Sequence, residues 1–234
     1  MEINCTVLTS ITGGKNDLQE PLKPGKAKWI AYLDTPQESK AWEVRKAYDR
    51  FTDPRRNSRV PKILSHQFCN TEYSIWIDGG ISLLKPPEEL IKTYLKDHDI
   101  ALFKHPKRTC IYGEAMKTAT GHLDDPEIII EQAKKYEDMG FAKNKGLYEC
   151  GVLIRRHTAK VIELNNYWWS EYCRHSTRDQ ISFPFSVDAV GIRVNGIEAN
   201  WRISPDRLYA LRSDFVKITP HNPVNGINSS WRKS

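Results

Sequence analysis

The chain has 234 residues, 39% of them hydrophobic and 27% charged, with a formal net charge of +6. No Pro/Gly/Ser-rich linker or long charge block divides it, so it reads as one α/β domain with a sizeable core rather than two small ones. The positive balance favours an anionic partner (a nucleotide diphosphate, a phosphorylated acceptor, a nucleic acid or a membrane surface) without choosing among them. Cys5, Cys69, Cys110, Cys150 and Cys173 are scattered and form no CxxC pair. They indicate neither a disulfide framework nor a structural zinc site, and reduced thiols in a cytosol fit best. No signal-like leader opens the sequence and no apolar run reaches membrane-spanning length, so a soluble, cytoplasmic protein is expected.

In chain order, Glu2 to Ile11 is a strand-like run that breaks at Thr12-Gly13-Gly14-Lys15. The Gly-Gly-Lys has a superficial likeness to a phosphate loop, but the upstream glycine of GxxxxGK[ST] is missing and Asn16 follows the lysine, so that motif is rejected. The loop to Lys26 is expected to fold over a nucleotide, with Thr12 and Gly14 among its contacts. Lys28 to Asp34 is a second strand ending in a carboxylate, and Asp34-Thr35-Pro36 is also ordinary turn chemistry. Trp42-Glu43-Val44 is a short strand. Asp53-Pro54 caps a helix on which Arg55, Arg59 and Lys62 fall at i, i+4 and i+7, a basic stripe that is either a solvated face or an anion site. Pro61 is expected to kink or break that helix.

Tyr73 to Ile77 is a buried strand that ends at Asp78-Gly79-Gly80. This is either a turn or the place where an α/β enzyme sets a working carboxylate beside glycines that admit a ligand. Asp34 and Asp78 then share one edge of a parallel sheet. Pro86-Pro87 starts a helix expected to run through Asp97. A strand over 99–103 leads into His105-Pro106-Lys107-Arg108. Helices are expected over 110–120 and, capped by Asp124-Asp125-Pro126, through Met139 to Gly140. A strand with Val152-Leu153-Ile154 at its centre follows Glu149 and Gly151. A helix from Thr158 carries Trp168 and Trp169, which cannot both face the core, and Arg178-Asp179-Gln180 opens another. Trp201 to Ile203 is an edge strand. The domain is expected to span 1–219, followed by a polar tail over 220–234 that includes His221.

Five ordered blocks carry a family likeness: 58–66, 73–79, 105–108, 146–149 and 178–183. Together they resemble the glycosyltransferase-like domain, formerly of unknown function, found in plant Golgi proteins of the mucilage and turgor-defect group and in bacteria and viruses. The resemblance spans roughly residues 5 to 190. It implies a GT-A fold, a Rossmann-like α/β domain with a mostly parallel central sheet flanked by helices. It also implies a nucleotide-sugar donor, a uridine diphosphate sugar being the expected one, and a divalent cation, Mn²⁺ or Mg²⁺, held by a DxD-type motif.

On that reading Asp78, with His221 from the tail, would hold the metal. Arg55, Arg59 and Lys62 would neutralise the diphosphate, and Asp34 would sit near the base or ribose. Gly79, Gly80, His105 and Arg108 complete the expected donor contacts, and Glu149, Asp179 and Gln180 would face the sugar or acceptor as catalytic residues. One departure stands out. Gly80 occupies the place of the second acid of DxD, which leaves either help from a histidine such as His105 or His221, or weak or absent metal dependence. The order of motifs tilts toward a retaining enzyme, with a glycan, a lipid or a modified nucleic acid as acceptor. The competing readings are a ceramidase-type hydrolase, for which neither GxSxG nor HExxH is found, and a nucleic-acid-binding module suggested by charge alone.

Overall fold

The computed structural model describes residues 2–198, 200–204 and 210–221. The first half contains β1 (Cys5–Ile11), β2 (Lys28–Leu33), β3 (Glu43–Lys46), α1 (Pro54–Ile63), β4 (Tyr73–Ile77), β5 (Ile81–Leu83), α2 (Pro87–Tyr94) and β6 (Ile100–Lys104). There follow α3 (Ile111–Thr120), α4 (Pro126–Asp138), β7 (Tyr148–Arg156), α5 (Ala159–Arg174) and α6 (Asp179–Val190). Four short strands close the described part: β8 (Asn195–Ile197), β9 (Trp201–Ile203), β10 (Ala210–Arg212) and β11 (Val216–Ile218).

Seven strands form the central sheet in the order β3-β2-β1-β4-β7-β6-β8, and β5-β11-β10-β9 make a smaller antiparallel sheet. Within the large sheet only β7 opposes its neighbours. This is the mostly parallel α/β arrangement expected from the sequence. The chain steps outward from β1 to β2 and β3, then returns through α1 to β4 on the other side of β1. The carboxyl ends of β1 and β4 therefore flank the point where strand order reverses, the place where open α/β sheets form a crevice.

Burial on both faces explains the apolar strands. Val7, Ile75, Ile77, Ala101, Phe103, Val152 and Ile154 pack toward α2 and the small sheet. Leu8, Trp76, Leu102 and Leu153 pack toward Leu164, Trp168 and Phe183 on the opposite side. A third cluster joins α3, α4 and α6 through Ile111, Ala115, Ile129, Tyr136 and Phe185. Trp168 is fully buried and donates its indole N–H to Ser182 Oγ at 3.1 Å, whereas Trp169 lies at the edge, stacked on Tyr172.

Two helices differ from expectation. Helix α1 runs through Pro61 without breaking, because the proline lies in its last turn and the helix stops two residues later, with Leu64 N–H still reaching Val60 O. Helix α2 ends at Tyr94 rather than 97: Lys96 takes a left-handed φ of 39°, and Asn195 on β8 donates to the Tyr94 carbonyl at 2.7 Å. Of the expected tail, residues 222–234 lie outside the described part.

Arg155 on β7 fixes the far end of α1. Its guanidinium is buried, pairs with no carboxylate among the described residues, and donates to the carbonyls of Lys62 (2.7 Å) and Ile63 (3.3 Å) and to Asn165 Oδ1 (3.2 Å). A cation on the final carbonyls of a helix satisfies orphan acceptors and complements the helix dipole. Burial lowers the Arg155 pKa to about 10. The basic stripe of α1 is thereby held in a fixed register against the sheet.

Beside it, His157 Nδ1 faces Thr71 O at 3.2 Å and Nε2 faces Ser74 Oγ at 2.8 Å. A carbonyl only accepts, so Nδ1 carries the proton and Nε2 accepts from the serine hydroxyl. Burial, with the Arg155 charge nearby, lowers the His157 pKa to about 4. The unfolded chain thus binds the proton more readily, and the stability this histidine confers is present above about pH 6.5 and lost as pH falls toward 4. The expected loss across that window is about 3 kcal/mol, and urea titrations from pH 7 to 4 should show it shrinking in His157→Gln.

Candidate active site

The crevice at the reversal point is a real cleft of about 370 Å³, lined by Ser10, Thr12, Lys15, Asn16, Arg55, Ser58, Arg59, Asp78, Gly79, Leu123, Arg178 and His221 among others. Its main walls are the loop after β1, the exposed side of α1 and the turn after β4, and Leu123, Arg178 and His221 complete the lining. Gly13 and Gly14 take left-handed φ values of 70° and 64°, which bend the loop back so that Lys15 enters the cleft. Asp34 holds that bend by accepting the Gly13 N–H at 2.6 Å, and Thr12 Oγ1 donates to Pro54 O at 2.7 Å. Asp34 thus supports the loop from outside the cleft.

Asp78-Gly79-Gly80 is both a turn and part of the site. Ile81 N–H donates to Asp78 O at 2.8 Å, closing a turn that hands the chain from the large sheet to the small one. A Cβ on Gly79 would lie 2.7 Å from Ile11 Cγ1, and one on Gly80 would lie 2.6 Å from Thr219 O. The glycines are therefore required by close packing, and Gly79 also lines the cleft. Asp78 Oδ1 accepts from Trp76 Nε1 at 2.8 Å and from Lys62 Nζ at 3.3 Å, while the carboxylate keeps 36% of its side-chain surface exposed.

Beneath the cleft floor lies an ionic chain. Lys62, only 1% exposed, bridges Asp78 to Asp179 Oδ2, which it reaches at 2.7 Å, and Arg59 Nε approaches the same oxygen at 3.1 Å. Burial alone would raise the Asp179 pKa, but the ammonium of Lys62 and the guanidinium of Arg59 more than reverse this and hold the carboxyl well below the usual range. Lys15 shows the opposite field: burial, together with repulsion from Arg55 and Arg59, lowers its pKa. A lysine at the cleft whose charge is repelled by two arginines marks surplus positive charge, suited to a polyanion.

The sequence-predicted residues divide accordingly. Thr12, Arg55, Arg59, Asp78, Gly79 and His221 come together as cleft lining. Arg55 also donates to Leu123 O and Thr177 Oγ1, closing the cleft wall. His221 Nδ1 lies 2.8 Å from Asn16 Oδ1, and burial lowers its pKa. Lys62 and Asp179 lie behind the lining rather than on it. Gln180 donates to Tyr148 O at 3.3 Å and accepts from Arg178 at 3.4 Å. Glu149 is paired with Arg212, whose guanidinium stacks over Phe103 and Trp201. His105, Arg108 and Glu114 form a separate polar cluster at the start of α3, with Arg108 Nε 2.7 Å from Glu114. Gly14 and Gly80 shape turns behind the lining. Sequence reasoning missed Lys15, Asn16, Ser58 and Arg178. The signal for Lys15 was its place in the loop after the first parallel strand, independent of any motif.

Similarity to known proteins covers α1, β4 and the start of α6 but not the β1 loop or His221. The family described as TOD1/MUCI70, glycosyltransferase-like domain, matches residues 33–204. The chain belongs to the TOD1/MUCI70 glycosyltransferase-like domain family. Among curated TOD1/MUCI70 relatives, it is 31% identical over 172 residues to the Arabidopsis thaliana probable hexosyltransferase MUCI70, covering 66% of this chain and 28% of that protein. It is 28% identical over 169 residues to the Arabidopsis thaliana alkaline ceramidase TOD1, covering 66% of this chain and 37% of that one. The chain thus spans about a third of the length of these relatives. Among solved structures, the apo WbbM bifunctional glycosyltransferase aligns with a TM-score of 0.44 at 12% identity, covering 83% of this chain and 38% of that one. Mouse xyloside xylosyltransferase 1 in its apo form aligns with the same TM-score at 10% identity, covering 83% and 84%. No described helix of this TOD1/MUCI70 domain is long and apolar enough to cross a membrane.

Proposed function

We propose that the protein is a glycosyltransferase that binds a nucleotide sugar with its diphosphate in the cleft between the β1 loop, α1 and Asp78-Gly79. The observation that carries this reading is the convergence of Lys15, Arg55, Arg59 and Arg178 at the carboxyl edge of β1 and β4, in a chain of this family. Transfer forms a bond from the acceptor oxygen to the anomeric carbon and breaks the bond from that carbon to the diphosphate, which leaves with the electron pair. Cations fixed where that charge develops lower the barrier because they need no reorganisation.

The fate of the acceptor proton bears on stereochemistry. Asp179 is tied to two cations and Glu149 to one. Neither is a free base, and Asp78 is shared with Lys62 and Trp76. This favours same-face transfer with retention, in which a departing phosphate oxygen takes the proton. Asp179 then acts by positioning Arg59 and Lys62. A hydrolase built on Ser74 and His157 finds no support, since Ser74 is fully buried.

The test is turnover with a panel of nucleotide sugars and glycan, lipid and modified-DNA acceptors, reading nucleoside diphosphate release and the mass of the product. One donor is expected to give diphosphate release that is lost in Asp78→Ala. Ceramide cleavage, with no release from any nucleotide sugar, would overturn the proposal.

A further inference from the structure

The resemblance implies a divalent metal at Asp78, and the donor set there does not fit one. Among the described residues, no three His, Cys, Asp or Glu side chains converge to hold a metal ion. Asp206 is the only such residue outside the described part. Gly80 stands where a second acid would be, and its Cβ position is filled by Thr219 O. A hard divalent cation at a diphosphate takes one or two carboxylates from the protein, free to bind it, and its other oxygens from phosphate and water. Here one oxygen of Asp78 already carries the Trp76 indole and the Lys62 ammonium. Around it, Lys15, Arg55, Arg59, Lys62 and Arg178 outnumber Asp78 and Asp179. Other acids around the cleft are already engaged: Asp34 accepts the Gly13 N–H, Asp53 caps α1, and Asp124 Oδ2 accepts from the Thr177 N–H and hydroxyl.

We propose that this site binds its nucleoside diphosphate without a metal ion, with Lys62 in the place of the metal at Asp78 and the cleft cations meeting the phosphates directly. The inference rests on the donor-site reading above and deepens it. Lys62 is a positioning residue, not a catalytic one: its ammonium is buried and neutralises Asp78, so the phosphates meet Lys15, Arg59 and Arg178 rather than an unpaired carboxylate. The buried Nε of Arg178 has no hydrogen-bond partner among the described residues and is one further donor beside the cleft.

The experiment is calorimetric titration of the full chain with uridine, guanosine, adenosine and cytidine diphosphates, in EDTA and again in millimolar MnCl₂, with Mn²⁺ binding followed separately by electron paramagnetic resonance. For the nucleotide that binds, the two affinities are expected to agree within about threefold, and free Mn²⁺ is expected to remain unbound at micromolar protein. Lys62→Met, which bares the Asp78 carboxylate, is expected to gain an Mn²⁺ signal or a metal-dependent rise in nucleotide affinity, a readout that a purely structural lysine would not move. If that variant does not fold, the wild-type comparison decides alone. Affinity tenfold or more higher with Mn²⁺ than in EDTA overturns the inference and leaves the transferase reading standing. Binding of no nucleotide under either condition overturns both.

Discussion

Asp179→Ala is expected to lower the stability of the folded chain by about 3–5 kcal/mol, the range for removing one partner of a buried ion pair. The alanine would leave the 1%-exposed Lys62 ammonium with only the longer contact to Asp78, and would free Arg59 from its carboxylate. Urea unfolding followed by circular dichroism measures this, and the midpoint should fall without a change in slope. Lys62→Met combined with Asp179→Leu is expected to recover at least half of the loss, because an apolar pair of similar volume escapes the desolvation cost.

The pH dependence has a definite sign. The folded pKa of Asp179 lies below its unfolded value, so its contribution is complete above about pH 4 and fades as pH falls below that. This acid limb should lie below the His157 limb and vanish in Asp179→Ala. A loss under about 1 kcal/mol in the single variant would show that the ionic chain under the cleft does not hold α1 to α6.

The second large effect separates binding from folding. Lys15→Ala and Arg178→Ala are each expected to weaken binding of the nucleoside diphosphate by about 10- to 100-fold, the loss of one charge-assisted hydrogen bond to an anion. Melting temperature in the absence of ligand should stay level or rise in Lys15→Ala, because that change removes a cation repelled by Arg55 and Arg59. Calorimetry and thermal melts on the same samples check both. Unchanged affinity with lowered stability in both variants would mark the cations as scaffold.

What was legible in the sequence follows from how local each signal is. The strands were readable because their apolar runs are bounded by turns, and the α1 stripe because 55, 59 and 62 repeat at helical spacing. Asp78 was readable from the end of its strand and the two glycines. The ionic chain was not, since Lys62 and Asp179 are 117 residues apart and only the meeting of α1 with α6 joins them. The same holds for His221 and Asn16, 205 residues apart. Lys15 was set aside with a motif it does not match, although the loop after β1 gives it a place in the cleft without that motif. Asp179 drew attention as an acid in the first turn of its helix, while its neighbour Arg178 is the one that lines the cleft. His105 and Arg108 entered as donor contacts through the family resemblance, and in the fold they close on Glu114 at the start of α3.

The most direct test of the central claim is a ligand-bound crystal structure of the chain with the nucleotide that calorimetry selects. Both phosphates are expected within hydrogen-bond distance of Lys15, Arg59 or Arg178, beside Asp78 and Gly79. Phosphates bound elsewhere on the chain, with this cleft holding only solvent, would contradict it.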